Sequence, residues 1–144
     1  MKEEIIEKAI CWSVAEASCT EIDEINILNA SFLAMHRAVD TLTTKPQMLL
    51  IDGNRFKPYP NIPHKCIVGG DATYLSIAAA SVLAKTHRDV IMKKFAEEFP
   101  GYRWETNVGY PTADHREGIR KLGLTPLHRK SFQQLPGQLK IFKE

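Results

Sequence analysis

The chain has 144 residues, 44% hydrophobic and 25% charged, which is the size and composition of one ordinary globular domain. No run nears the roughly 18 consecutive apolar residues of a membrane span, Met1-Lys2-Glu3-Glu4 lacks a secretory signal's apolar core, and Cys11, Cys19 and Cys66 form no disulfide framework or zinc pattern, so a cytoplasmic protein with reduced thiols is expected. The net charge of +2 is uneven: residues 1–45 hold four Lys/Arg against eight Asp/Glu, and residues 46–144 hold fifteen against nine.

From Lys2 to about Cys11, Ile5, Ile6, Ala9 and Ile10 fall on one side and Glu3, Glu7 and Lys8 on the other, predicting an amphipathic helix without a clear N-cap. Trp12 to Cys19 alternates imperfectly and reads as a short strand. Thr20 and Asp23 signal a helix start. Beyond them Ile25, Leu28, Phe32, Met35, Val39 and Leu42 recur at spacings of three and four, predicting a long helix with a continuous apolar stripe and a break near Asn29.

Met48-Leu49-Leu50-Ile51 then reads as a buried strand ending in Asp52-Gly53-Asn54, and Cys66-Ile67-Val68 as a second strand ending in Gly69-Gly70-Asp71. Between them, Pro58, Pro60 and Pro63 with Phe56 and Tyr59 predict a stiff loop. Tyr74 to about Phe99 reads as one long helix whose Ala/Ser face at 76–81 would let its backbone approach the sheet closely. Pro100-Gly101 ends it, and Tyr102 to Pro111 reads as an aromatic-bearing loop. Thr112 to Leu122 is predicted as a shorter helix with Thr112 as N-cap and Gly123 as its stop. A basic loop from Pro126 to Phe132 follows, and the end from Pro136 is read as frayed or as a docked tail.

Two strands that each deliver a carboxylate at the C-terminal end make an α/β active-site layout, because ligands of open α/β sheets bind beyond those ends. Asp52 and Asp71 are oxygen donors of the kind that hold Mg²⁺. Asp-Gly and Gly-Asp are also everyday turn formers, so periodicity alone leaves both roles open. The basic C-terminal half suits a polyanion such as nucleic acid, although a solvated face gives the same bias.

The residues themselves narrow this. Ile51-Asp52-Gly53-Asn54-Arg55, Gly70-Asp71, Ser76-Ile77-Ala78-Ala79-Ala80-Ser81-Val82-Leu83-Ala84-Lys85, Arg88-Asp89, Gly109-Tyr110-Pro111-Thr112 and His128-Arg129-Lys130-Ser131-Phe132 closely resemble ribonuclease HII, in the family's order. Glu24-Ile25-Asn26-Ile27-Leu28 and Ala34-Met35-His36-Arg37-Ala38-Val39 resemble its helical region. The resemblance implies a ribonuclease H-like mixed sheet flanked by helices, residues 1–100 forming a partial α/β domain and 101–144 its helical, basic substrate-binding part. It implies cleavage of RNA within RNA/DNA hybrids and at ribonucleotides embedded in duplex DNA, by a four-carboxylate site holding two Mg²⁺ or Mn²⁺ ions. Asp52 and Asp71 match the third and fourth carboxylates. Tyr110, with Gly109, matches the element that senses the ribose 2′-OH, and Arg55, His128, Arg129, Lys130 and Ser131 are substrate-binding candidates; for 128–131, solvated loop charge competes with direct contact. Asp89 is left outside the site, and for Lys85 reaching the site and snorkelling stay equally open.

The family's first two carboxylates lie in an Asp-Glu pair beside a glycine-arginine-glycine turn on a central first strand. No such segment occurs here, and Asp23-Glu24 leads into a helix instead. Gly69 and Val108 stand where the family commonly has lysine. The chain therefore reads as the family N-terminally truncated, without its first strands and with exposed strand edges open to self-association. Activity is expected to be impaired, the alternative being a non-catalytic nucleic-acid-binding remnant of the same fold.

Overall fold

The computed structural model describes residues 1–129. Along the chain lie α1 (Lys2–Lys8), α2 (Cys19–Asp40), β1 (Leu49–Asp52), β2 (His64–Ile67), α3 (Gly70–Thr73), α4 (Leu75–Glu98), α5 (Trp104–Asn107) and α6 (Ala113–Leu122), an α/β chain. It divides into two compact units, one of residues 1–17 and 28–86, the other of residues 18–27 and 87 onward.

In the first unit, β1 and β2 pair in parallel, with Leu49 opposite His64 and Asp52 opposite Ile67. Leu49 and Ile51 are buried while Asp52 is exposed, so the apolar run ends in a carboxylate at the strand's C-terminal end. The predicted loop is stiffened as its prolines demand: Phe56 packs edge-on against Phe32 and against His64, His36 Nε2 donates to the Lys57 carbonyl at 2.8 Å, and the Tyr59 hydroxyl donates to Asp40. Of the small-residue helix face, Ser76, Ala80 and Ser81 are exposed, and Ile77 and Leu83 are the buried residues of that stretch. Helix α4 comes close at Gly70, where an added Cβ would lie 2.6 Å from Ile77 Cδ1.

Residues 11–18 form no strand. Alternation alone cannot make one, since a strand's backbone groups need a neighbouring ladder. This segment is tied by single bonds: Cys11 Sγ to the Thr44 carbonyl at 3.6 Å, Ser13 with Thr41, and Arg37 Nη1 to the Glu16 carbonyl at 2.9 Å.

Helix α2 is capped at Ser18, two residues before the predicted Thr20 signal. Ser18 Oγ accepts from the Glu21 amide at 3.1 Å and Glu21 Oε2 accepts from the Ser18 amide at 2.8 Å, a reciprocal capping box. The break falls at Asn26 (φ 70°, ψ 168°), not near Asn29. One non-helical residue resets the phase of the turn, which ends the continuous stripe: Ile25 and Leu28 are exposed, and Ile22 and Ala30 are buried in their place.

The second unit has its own buried cluster. Met92, Tyr102, Trp104 and Ile119 are buried together, with Phe95, Phe99, Val108, Leu124 and Leu127 packed against them. The predicted aromatic loop contains the single turn α5, because Trp104 stacks on Tyr102 (centroids 5.1 Å apart) and is almost fully buried. Helix α6 has the predicted ends. Thr112 Oγ1 accepts from the His115 amide at 3.3 Å, and Gly123 (φ 78°) stops it, its amide donating to the Ile119 carbonyl at 2.8 Å.

Candidate functional site

In the first unit, the sheet and the turn after it bring Asp52 and the Gly69-Gly70-Asp71 segment together. Asp52 Oδ1 accepts from the Gly70 amide at 3.0 Å, and Asp71 is the next residue, in the first turn of α3. Gly69 makes this turn in the left-handed region (φ 66°), where a β-carbon is disfavoured. One oxygen of Asp52 is therefore held by backbone beside Asp71, and both residues are exposed. In donor type the pair suits a hard divalent cation, which is commonly held by one or two carboxylates, waters and phosphate oxygens. In number it stops there: among the described residues no three His, Cys, Asp or Glu side chains are grouped to hold a metal ion. Arg55 is exposed in the loop that follows β1.

In the second unit, Tyr110 is 66% exposed, yet both its backbone N–H and its carbonyl are hydrogen-bonded. Its amide donates to the Asn107 carbonyl at 2.9 Å, and its carbonyl accepts from the Thr112 amide at 2.8 Å and faces His115 Nδ1 at 3.0 Å. The Gly109 amide donates to Asn107 Oδ1 at 2.9 Å, and Asn107 Nδ2 donates to the Tyr102 carbonyl at 2.8 Å. Arg88 Nη2 donates to the carbonyl of Val108 at 3.2 Å. Val108 itself has φ 46°, an unusual backbone state for a β-branched residue. The loop presents an open ring on a fixed backbone.

Behind it lies a pair of buried histidines. His128 is 5% exposed, which separates it from both roles expected for residues 128–131, a solvated charge or a phosphate contact. The Thr125 amide, which can only donate, points at His128 Nδ1 at 2.9 Å, so Nδ1 is the acceptor and the proton sits on Nε2. That Nε2–H faces His115 Nε2 at 3.1 Å, and the Trp104 indole N–H approaches the same atom at 3.3 Å. His115 Nε2 is thus an acceptor, its proton sits on Nδ1, and Nδ1–H donates to the Tyr110 carbonyl. Burial first, and the neighbouring His115 second, lower the His128 pKa to about 4, which keeps its ring neutral at ordinary pH.

Arg129 is half-buried, and burial, then Arg88, push its pKa down while Cys19 and Asp23 oppose the shift. Burial chiefly raises that of the Cys19 thiol, which donates to the Leu127 carbonyl at 2.6 Å. Lys130 and Ser131 lie outside the described residues, as does the tail from Pro136. His115, Asn107 and Trp104 escaped sequence reasoning. The signal for His115 was present, since it shares one helical face with Gly118 and Ile119, both buried.

Comparison with known proteins agrees with this order of motifs. A family profile described as ribonuclease HII matches residues 2–135. Proteins named ribonuclease HII are 59% identical over 141 residues in Christiangramia forsetii, with 98% of this chain and 71% of that protein covered, and 61% identical over 143 residues in Bacteroides fragilis, with the same coverages. The Cytophaga hutchinsonii protein of that name is 56% identical over 143 residues, covering 99% of this chain and 71% of its own length. With one profile spanning nearly all of the chain and relatives near 60% identity, this chain belongs to the ribonuclease HII family of ribonuclease H-type hydrolases.

Proposed function

We propose that this chain carries part of an endonuclease, built on a ribonuclease H-like sheet, that hydrolyses RNA in RNA/DNA hybrids and at ribonucleotides embedded in duplex DNA. The observation that carries this is the union of two things: the family match over residues 2–135, and Asp52 hydrogen-bonded to the residue that precedes Asp71. Asp52 and Asp71 would hold Mg²⁺ or Mn²⁺. Such ions, when bound, supply acidification of the attacking water and stabilisation of the departing 3′-oxygen. The Gly70 amide fixes Asp52 through one carboxylate oxygen and leaves the second free of that bond. Tyr110 and Gly109 would read the ribose, while Arg55, Arg129, Lys130 and Ser131 serve phosphates. Phosphate and 2′-OH contacts carry no base sequence, so none is expected to be read.

The carboxylate count supports impairment of this 144-residue chain. Its sequence holds no Asp-Glu beside a Gly-Arg-Gly turn, and among the described residues no third acid joins the pair. Losing a single electrostatic element of a site typically costs about 10²–10³ in rate. The test is cleavage of a duplex carrying one ribonucleotide, in Mg²⁺ and in Mn²⁺, by the chain alone and with a polypeptide supplying the family's acidic first-strand segment. Activity is expected only with the supplement. Robust turnover by the chain alone would contradict impairment, and tight hybrid binding without rescue would favour the non-catalytic binding remnant.

A further inference from the structure

We infer that the His128–His115 pair is a positioning device for the Tyr110 loop, a directional hydrogen-bond chain that fixes the ribose-reading ring and so sets ribonucleotide selectivity. The inference rests on the proposal that Tyr110 reads the ribose. Every link has a forced direction. At one end the Thr125 amide can only donate, and at the other the Tyr110 carbonyl can only accept. Between them two neutral rings must each carry one proton, on His128 Nε2 and on His115 Nδ1, and the Trp104 indole N–H enforces the same choice at His115 Nε2.

The pair has nothing else to do at the surface. Both rings are 5% exposed, so neither reaches a phosphate. They sit among Tyr102 and Trp104, with His128 centroids 5.1 and 5.4 Å from those rings, and the chain runs out of this core to one backbone atom of one exposed residue. Buried polar networks that are fully satisfied specify a unique local arrangement, and here the arrangement specified is the backbone under Tyr110.

Amide side chains separate the links. His115→Asn places an N–H near the Nδ1 position and can keep the bond to Tyr110, whereas His115→Gln moves the amide toward the Nε2 position and loses it. His128→Asn keeps an acceptor for Thr125 and loses the donor to His115. The measurement is the affinity ratio between a DNA duplex with one ribonucleotide and the all-DNA duplex, by fluorescence anisotropy in EDTA, with Tyr110→Ala as reference. His115→Gln is expected to lower that ratio about five-fold, the worth of one hydrogen bond, leaving all-DNA affinity unchanged. His128→Asn should lower it too, and His115→Asn should stay close to the unaltered protein.

If Tyr110→Ala lowers the ratio while His115→Gln and His128→Asn do not, the positioning role is wrong and the Tyr110 proposal stands. If Tyr110→Ala changes nothing, both fall together. Long-range ¹H–¹⁵N spectra of the unaltered protein give a readout that survives a variant failing to fold: an Nε2–H tautomer at His115, or a charged ring at neutral pH, overturns the inference.

Discussion

His128 shows how a single residue ties this chain to pH. Its ring titrates near 6.5 in an unfolded chain and is held down to about 4 in the fold, by burial and then by His115. Between those values the unfolded chain binds the extra proton and the folded one refuses it, so stability rises with pH across that window. The full contribution is present above about pH 6.5 and is lost as pH falls through 4; at 1.36 kcal/mol per pKa unit its ceiling is roughly 3 kcal/mol. Urea unfolding at pH 7 and pH 4.5 should show this loss, and His128→Gln should flatten it. An unchanged slope in the variant would assign the acid sensitivity to other groups. At this scale the chain was half legible. Asp52 and Tyr110 stand in contiguous motifs that read directly. The burial of His128 does not, because the groups that bury it, Tyr102, Trp104 and His115, come from other elements.

Elements were legible where their own ends carry the signal. Helix α6 was readable because Thr112 and Gly123 are local punctuation, and α4 because nothing in 75–98 interrupts it. The strand at Trp12–Cys19 failed because a strand exists only through its neighbour, and the Asn26 break was placed wrongly because no Gly or Pro marks it. Helix α6 also owes its seating to Gly118. A β-carbon there would run into the carbonyl oxygen of Gly101 and come within 3.0 Å of Tyr102 Cα, both backbone atoms that cannot swing aside. Gly118→Ala should therefore destabilise by roughly 2–3 kcal/mol, as overpacking does, although alanine is the better helix former. A shifted urea midpoint with an unchanged slope would register it; a stabilised variant would mean that α6 slides freely over the 101–102 turn.

For the whole molecule, the two-stranded sheet is the telling feature. A pair of strands is marginal by itself, and among the described residues no further strand pairs with either outer edge. Val68, 79% exposed, follows β2 directly, and Met48, also exposed, precedes β1. Concentration-dependent self-association is the expected outcome, seen by sedimentation velocity as a rising mean mass. A single monomer boundary at every loading would show that the edges are protected some other way. No helix among the described residues is long and apolar enough to cross a membrane.

The parallel pairing also divides the chain into parts that differ in their tolerance of insertions. Between the strands, residues 53–63 travel through a loop anchored by its prolines and rings, and one residue more or less there can be taken up in its bends. Between Ile67 and Asp71 there are three residues, and one of them, Gly70, gives its amide to Asp52. A single residue added to that short span would carry the second acid out of step with the first. The first connection therefore has slack for a change of one residue, while the second has its length dictated by one hydrogen bond.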